Sequence, residues 1–136
     1  MKLRVYPCSA MVLAAWISLQ FAALSQDQPL TIKRGVYVRE PAQCKEAPNA
    51  AIMSWGGVGF SGPHSSKCTS SVLHKNGRKY EISTSCSSLG DGSPNPTGTP
   101  FVESFVLTRV SNTQFIITED NQPQGTYRWC SAKVQD

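Results

Sequence analysis

The stretch from Cys68 to Cys86 places the strongest constraint on how this chain folds. Two strand-like runs flank the dipeptide Asn76-Gly77. This dipeptide is typical of a type I′ hairpin turn, because both residues accept a positive φ at little steric cost. A cysteine closes each end of the segment. The pattern therefore predicts a β-hairpin with a two-residue turn in a disulfide-bonded β protein.

The rest of the chain continues in short strand-like runs. Turn signals recur about every 8–12 residues, and no window has a sustained helical period. Short connections favour antiparallel neighbours. We therefore predict an all-β fold, an antiparallel meander of about eight short strands that forms a small barrel or a sandwich. Besides the two arms of the hairpin, the predicted strands are residues 35–39, 50–55, 58–61, 101–110, 114–119 and 126–131.

Two segments after the hairpin carry further expectations. Residues 87–100 contain three prolines and three glycines, so we predict a long loop there. Loops of this length in compact domains are often binding loops. Residues 101–110 are partly apolar on both faces, which predicts a strand that is covered on both sides.

The N-terminus has the pattern of a secretory signal peptide. An almost uncharged apolar run over residues 8–24 follows two basic residues and ends in a small-x-small cleavage site at Ser25. The run is slightly short for a membrane anchor, and no basic residue follows it directly. We expect residues 1–25 to be removed, a flexible lead-in over residues 26–34, and a single β domain over residues 35–136. The expected location is the periplasm or the extracellular medium.

Four cysteines remain after this cleavage, an even number that predicts two disulfides with three possible connectivities. In the register of the predicted turn, Cys68 faces Ser85. Cys68 and Cys86 then point to opposite faces of the sheet, so a direct bond between them would need a bulge. We therefore predict the pairs Cys44–Cys68 and Cys86–Cys130.

Charge and motif content argue against several function classes. Without the signal peptide, 11 basic and 9 acidic residues leave a net charge of +2. That balance does not imply nucleic acid or an acidic membrane surface as a partner. No second apolar stretch is long enough to span a bilayer. The cysteines and histidines lack zinc-site spacing, and the glycine-rich run 57–62 precedes Pro63 and not a helix. We predict no metal and no cofactor.

The candidate binding residues lie in two places. One is the glycine-rich loop before the hairpin and the other is the basic hairpin tip, which is able to contact an anionic glycan or a lipid headgroup. No nucleophile and orienting group accompany either histidine in the sequence, so no residue is predicted to be catalytic. The candidate binding residues are Ser61, Gly62, His64, Lys75, Arg78 and Lys79.

The signal peptide, the Cys68-to-Cys86 hairpin and the closing Tyr127-Arg128-Trp129-Cys130 resemble several families of small exported bacterial domains of unknown function. This similarity covers the last half of the chain and implies no established activity. The chain also resembles small periplasmic lysozyme inhibitors, which are antiparallel β barrels with a disulfide. Those inhibitors use a Ser-Gly-centred loop followed by a tyrosine, whereas Ser61-Gly62 is followed here by Pro63-His64.

Three functional hypotheses follow. The first is a non-enzymatic binding or inhibitor-like module that presents residues 56–66 and 87–100 to a cell-envelope protein. The second is a carrier that holds a small apolar ligand in the mouth of a barrel. The third is a hydrolase that uses His64. The absence of a coherent catalytic set in the sequence favours the first hypothesis.

Overall fold

A computed structural model describes residues 29–133, so the predicted signal peptide lies outside the described residues. Eight strands form one antiparallel sheet, and a short 3₁₀ helix, Asn49–Ala51, precedes the second strand. None of the helices in residues 29–133 is long and apolar enough to cross a membrane. The strands are β1 (Gly35–Arg39), β2 (Ile52–Trp55), β3 (Phe60–Ser61), β4 (Ser65–Asn76), β5 (Lys79–Leu89), β6 (Phe101–Arg109), β7 (Gln114–Glu119) and β8 (Gln122–Ser131).

The sheet curls into a nearly closed barrel. The strand order is β3-β2-β1-β8-β7-β6-β5-β4, so all consecutive strands except β3 and β4 are neighbours, and β1 pairs with β8. The remaining opening, which we call the seam, lies between β3 and β4. It stays open because β3 has two residues and β4 has twelve, so most of β4 lacks a partner on that side. The predicted all-β antiparallel meander is confirmed, in its barrel-like form.

Side chains fill the interior of the barrel. Strand alternation points every second residue of β5, β6 and β7 inward. The Phe115 ring lies 4.7 Å from Tyr37 and 5.5 Å from Tyr127, measured between ring centroids. Six large residues are no more than 1% exposed, namely Tyr37, Tyr80, Ile82, Leu107, Phe115 and Ile117.

The outer face of β6 is not covered, which corrects the prediction of a strand buried on both sides. Val102 is 64% exposed, and Val110, just after the strand, is 42% exposed. A single-layer barrel has one core, so residues that point outward on β6 meet no second layer.

The described part of the lead-in packs against the barrel. Ile32 is buried in the core. The Lys33 N–H donates to the Asn112 carbonyl oxygen at 2.7 Å, and the Trp129 indole N–H donates to the Arg34 carbonyl oxygen at 3.0 Å. These contacts tie residues 32–34 to the β6–β7 turn and to β8.

The predicted disulfide pairing is wrong: the bonds are Cys44–Cys130 and Cys68–Cys86. Cys68 lies directly opposite Cys86, with 4.0 Å between their Cα atoms. The first bond links the β1–β2 loop to β8, and the second joins the two arms of the hairpin. The error has two causes, which are a turn centred one residue later than predicted and a bulge at Leu73, between the paired residues Val72 and His74.

The hairpin turn also differs from the prediction. Asn76 pairs with Lys79, so the central turn residues are Gly77 and Arg78, and of these Gly77 alone has a positive φ, of 59°. A glycine at the first central position is typical of a type II′ turn, not the predicted type I′.

Several other boundaries moved, and β2 and β3 each begin two residues later than predicted, at Ile52 and Phe60. β5 continues to Leu89, so the long loop begins three residues later than predicted. β8 begins at Gln122, because Asp120 and Asn121 both adopt positive φ, of 47° and 62°, and close a tight turn.

Candidate functional site

A cleft of about 580 Å³ lies beside the seam. The β2–β3 connection forms one wall, the first residues of β4 form the second, and the turn at residues 90–92 forms the third. The cleft exists because β3 ends after two residues while β4 continues, which leaves a gap that no strand fills.

Backbone contacts hold the two sides of the seam together at one level. The Ser70 N–H donates to the Val58 carbonyl oxygen at 2.9 Å, and the Phe60 N–H donates to Ser70 Oγ at 3.0 Å. Gly59 permits this approach, because a Cβ at that position would lie 2.0 Å from the Cys68 carbonyl oxygen. These contacts define the inner limit of the cleft.

Small hydroxyl side chains line the strands that border the cleft. Met53 and Trp55 pack with the core, so strand alternation turns Ser54 to the other side, toward the cleft. Ser54 is 6% exposed and pairs with Ser61, which lines the cleft as well. Ser65 is also buried, and its Oγ accepts a hydrogen bond from the Gly62 N–H at 3.1 Å. The lining therefore combines short hydroxyl side chains with the apolar side chains of Ile52 and Val58.

The third wall comes from the start of the long loop. Gly90 packs directly on Pro63, since a Cβ on Gly90 would lie 1.9 Å from the Pro63 carbonyl oxygen. The next residue, Asp91, accepts hydrogen bonds from the Ser93 N–H at 2.9 Å and from Ser93 Oγ at 2.6 Å. These bonds lower the pKa of the Asp91 carboxyl group, because they favour its charged form. The loop thus presents an ordered carboxylate at the cleft.

The cleft also has a basic residue in an unusual backbone conformation. Lys67 lines the cleft and has a φ of 50°, in the left-handed region that residues other than glycine rarely adopt. Lys67 and Asp91 therefore bring one charge of each sign to an otherwise neutral site.

The structure separates the predicted site residues into two groups. Ser61 and Gly62 line the cleft. His64 is exposed beside the cleft, and within residues 29–133 no side-chain hydrogen bond orients its ring. Its surroundings thus lack the orienting partner that a catalytic histidine needs.

The other group, Lys75, Arg78 and Lys79, is exposed at the hairpin tip. The tip lies at the opposite end of β4, about 25 Å from Lys67 for an extended strand. Lys75 lies over the Tyr80 ring, with its Nζ 5.3 Å from the ring centroid. The hairpin tip is therefore a separate surface and not part of the cleft.

Sequence reasoning missed several cleft residues. Ser54, Ser65 and Lys67 carry no motif, and their approach to Gly90 depends on the curl of the barrel. The available signal was the prediction that residues 56–66 and 87–100 are the two presented loops. Parts of both segments do line the cleft.

The fold and the site define a small, disulfide-bonded, nearly closed antiparallel β barrel with a cleft of mixed polarity at its seam. Within residues 29–133, no group of three or more His, Cys, Asp or Glu side chains is placed to hold a metal ion. No protein-family model, no curated protein and no solved structure matches this chain.

Proposed function

We propose that this protein is an exported, inhibitor-like binding module that holds an extended segment of a partner protein in the seam cleft. The main observation behind the proposal is that parts of residues 56–66 and the turn at residues 90–92 line the same cleft. Binding residues are often placed on loops that a rigid scaffold positions, and here the barrel is the scaffold.

The chemistry of the lining supports a peptide-like ligand. Serine hydroxyls and glycine backbone groups donate and accept hydrogen bonds, as the main chain of an extended segment requires. The strained φ of Lys67 is consistent with a functional site, where such outliers often cluster.

The other two hypotheses have less support. Side chains fill the interior of the barrel, so no described residue supports the hypothesis of an apolar carrier. His64 is exposed, and its position gives no support to the hypothesis of a hydrolase.

Export is part of the proposal and has two supports. Structural disulfides persist in oxidising compartments, and the chain has two. The sequence pattern of residues 1–25 is that of a signal peptide. The resemblance to periplasmic lysozyme inhibitors makes enzymes that act on the cell wall one class of partner to test.

A titration against a panel of lysozymes and secreted proteases tests the proposal. The decisive variant is Gly56→Trp, which fills the cleft: a Cβ on Gly56 meets nothing within 4 Å, and its φ is not in the left-handed region. The matched control is Ser104→Trp on the exposed outer face of β6. We expect the natural protein and the control to inhibit one enzyme of the panel, with complete inhibition at an equimolar ratio. The same enzyme should stay active when Gly56→Trp is added.

Two outcomes would contradict the proposal. One is equal inhibition by Gly56→Trp and the control, which would place the contact outside the cleft. The other is an absence of inhibition across the panel, together with capture of the same envelope proteins by Gly56→Trp and by the natural protein. The mass of the secreted protein tests export separately, since cleavage after Ser25 and two disulfides give one defined value.

A further inference from the structure

The barrel has a basic end, opposite the loops that carry residues 90–92. We define the basic end as the β4–β5 hairpin tip, the β6–β7 turn and residues 33–34 of the lead-in. Strands alternate in direction around the barrel, so these segments lie at the same end. The cations at this end are Lys33, Arg34, Lys75, Arg78, Lys79 and Arg109.

Hydrogen bonds show that these segments are adjacent. The Arg109 N–H donates to the Arg78 carbonyl oxygen at 2.8 Å, which places the end of β6 against the hairpin tip. The Lys33 N–H donates to Asn112 in the β6–β7 turn. Lys33 Nζ also lies 3.5 Å from the centroid of the Trp129 ring, a cation–π contact that holds this charge in place. The basic end is therefore a continuous surface.

Most carboxylates of the described chain lie elsewhere. The β1–β2, β5–β6 and β7–β8 connections are at the other end of the barrel. Glu81, which pairs with His74 across the hairpin, is the carboxylate closest to the tip along β5. The cations Arg39, Lys45 and Lys67 partly offset the carboxylates of that other end, so the molecule has one strongly basic end and one end of mixed charge. The acidic residues of the other end are Glu40, Glu46, Asp91, Glu119 and Asp120.

Exposed apolar side chains lie among the cations of the basic end. Leu73 is 65% exposed at the β4 bulge, two residues from Lys75. Val110 is 42% exposed and directly follows Arg109. The bulge matters here, because the extra residue in β4 leaves Leu73 without a cross-strand partner.

We propose that the basic end docks onto the surface of an anionic phospholipid bilayer. Cations near such a surface are attracted by its negative potential, and apolar side chains beside them enter the boundary between headgroups and acyl chains. A polyanion in solution would match the charges but would offer nothing to Leu73 and Val110. The proposal does not depend on the function of the cleft.

Sedimentation with vesicles tests the docking of the whole secreted protein. We compare vesicles of about 30% phosphatidylglycerol in phosphatidylcholine with vesicles of phosphatidylcholine alone. The test variant is Lys75→Glu with Lys79→Glu, and its control is Lys45→Glu with Lys67→Glu, which has the same net charge. Each cation near an anionic surface contributes about fivefold in affinity, so we expect the test variant to lose at least about 25-fold and the control much less. Binding to the anionic vesicles should also fall as salt shortens the screening length.

A second pair of variants separates a bilayer from a soluble polyanion. Leu73→Ser should weaken binding to anionic vesicles, whereas Val102→Ser, an equally exposed residue outside the basic end, should not. Equal losses in the two charge variants, or no effect of Leu73→Ser, would overturn the proposal. Binding to heparin or DNA without binding to anionic vesicles would overturn it as well. The variant with Lys75→Glu and Lys79→Glu should behave like the natural protein in the cleft assay, because the hairpin tip is a separate surface, so failure of the cleft function and failure of docking are distinguishable.

Discussion

The glycine at position 59 provides the sharpest test of how the seam is built. We consider Gly59→Ala, with Gly56→Ala as its control in the same β2–β3 connection. A Cβ on Gly59 would lie 2.0 Å from the Cys68 carbonyl oxygen, whereas a Cβ on Gly56 meets nothing within 4 Å. Neither glycine has a φ in the left-handed region, so the two substitutions differ in space and not in backbone preference.

The expected magnitude follows from what must move. Real Cβ atoms essentially never come within 3.0 Å of such an atom, so β3 and β4 must separate by about 1 Å or more at this point. That displacement strains the Ser70-to-Val58 and Phe60-to-Ser70 hydrogen bonds, each worth about 0.5–1.5 kcal/mol. Overpacking adds about 1–3 kcal/mol. We therefore expect Gly59→Ala to lower the free energy of unfolding by about 2–5 kcal/mol.

Urea unfolding followed by tryptophan fluorescence measures the difference. Trp55 stacks on Phe60 at 4.5 Å between ring centroids, so its emission reports on the seam directly. Gly56→Ala should be neutral or stabilising by about 0.4–1 kcal/mol, because alanine restricts the unfolded chain. If the two variants unfold at the same urea concentration, the close approach of Gly59 to Cys68 does not hold the seam, and our account of the cleft is wrong.

Two further predictions concern the whole domain. Replacing both cysteines of Cys44–Cys130 by serine should lower the free energy of unfolding by about 4.6 kcal/mol, and the same change at Cys68–Cys86 should lower it by about 3.2 kcal/mol. The difference arises because the bonds close loops of 86 and 18 residues. The reverse order of stability in urea unfolding would contradict this prediction. Burial raises the pKa of Tyr37 to about 12, so the folded state favours the neutral phenol. The contribution of Tyr37 to the free energy of unfolding should be complete below pH 10 and should fall by at most about 2–3 kcal/mol as the pH rises to 12. The Tyr37→Phe variant should lack this part of the alkaline loss of stability. An identical loss in both proteins would refute the assignment of the loss to Tyr37.

The hairpin shows how far local sequence signals extend. The dipeptide Asn76-Gly77 predicted a two-residue turn, and the turn does have two central residues, but they are Gly77 and Arg78. That shift moves each cross-strand partner by two residues, and the bulge at Leu73 moves it back by one. The net shift of one residue brings Cys68 opposite Cys86. No local preference marks Leu73 as a bulge, because the residue is an ordinary strand former whose extra place depends on pairing with β5.

Strand positions were easier to predict than strand ends. β1 and β7 have the predicted bounds because Gly, Pro or Asn turn signals flank them closely. The start of β8 was missed because Pro123 indicated a longer turn. Pro123 pairs with Thr118 on β7, whereas the pairing of β8 with β1 begins further along, at Tyr127. A missing N–H is tolerated where the strand has no partner on that side.

The cleft and the basic end are both hard to predict from the sequence for the same reason. Each surface depends on which loops the curl of the sheet brings close together. Pro63 and Gly90 touch because β3–β4 and β5–β6 are connections at the same end, while Arg78 and Lys33 share the other end through the β6–β7 turn. The net charge of +2 for residues 26–136 says nothing about this, because the sum is unchanged when the same charges move to opposite ends. In an up-and-down barrel, charge should therefore be counted separately for the connections at each end of the barrel. By that count, the β4–β5 hairpin tip and the β6–β7 turn form a basic surface at one end, although the composition is nearly balanced.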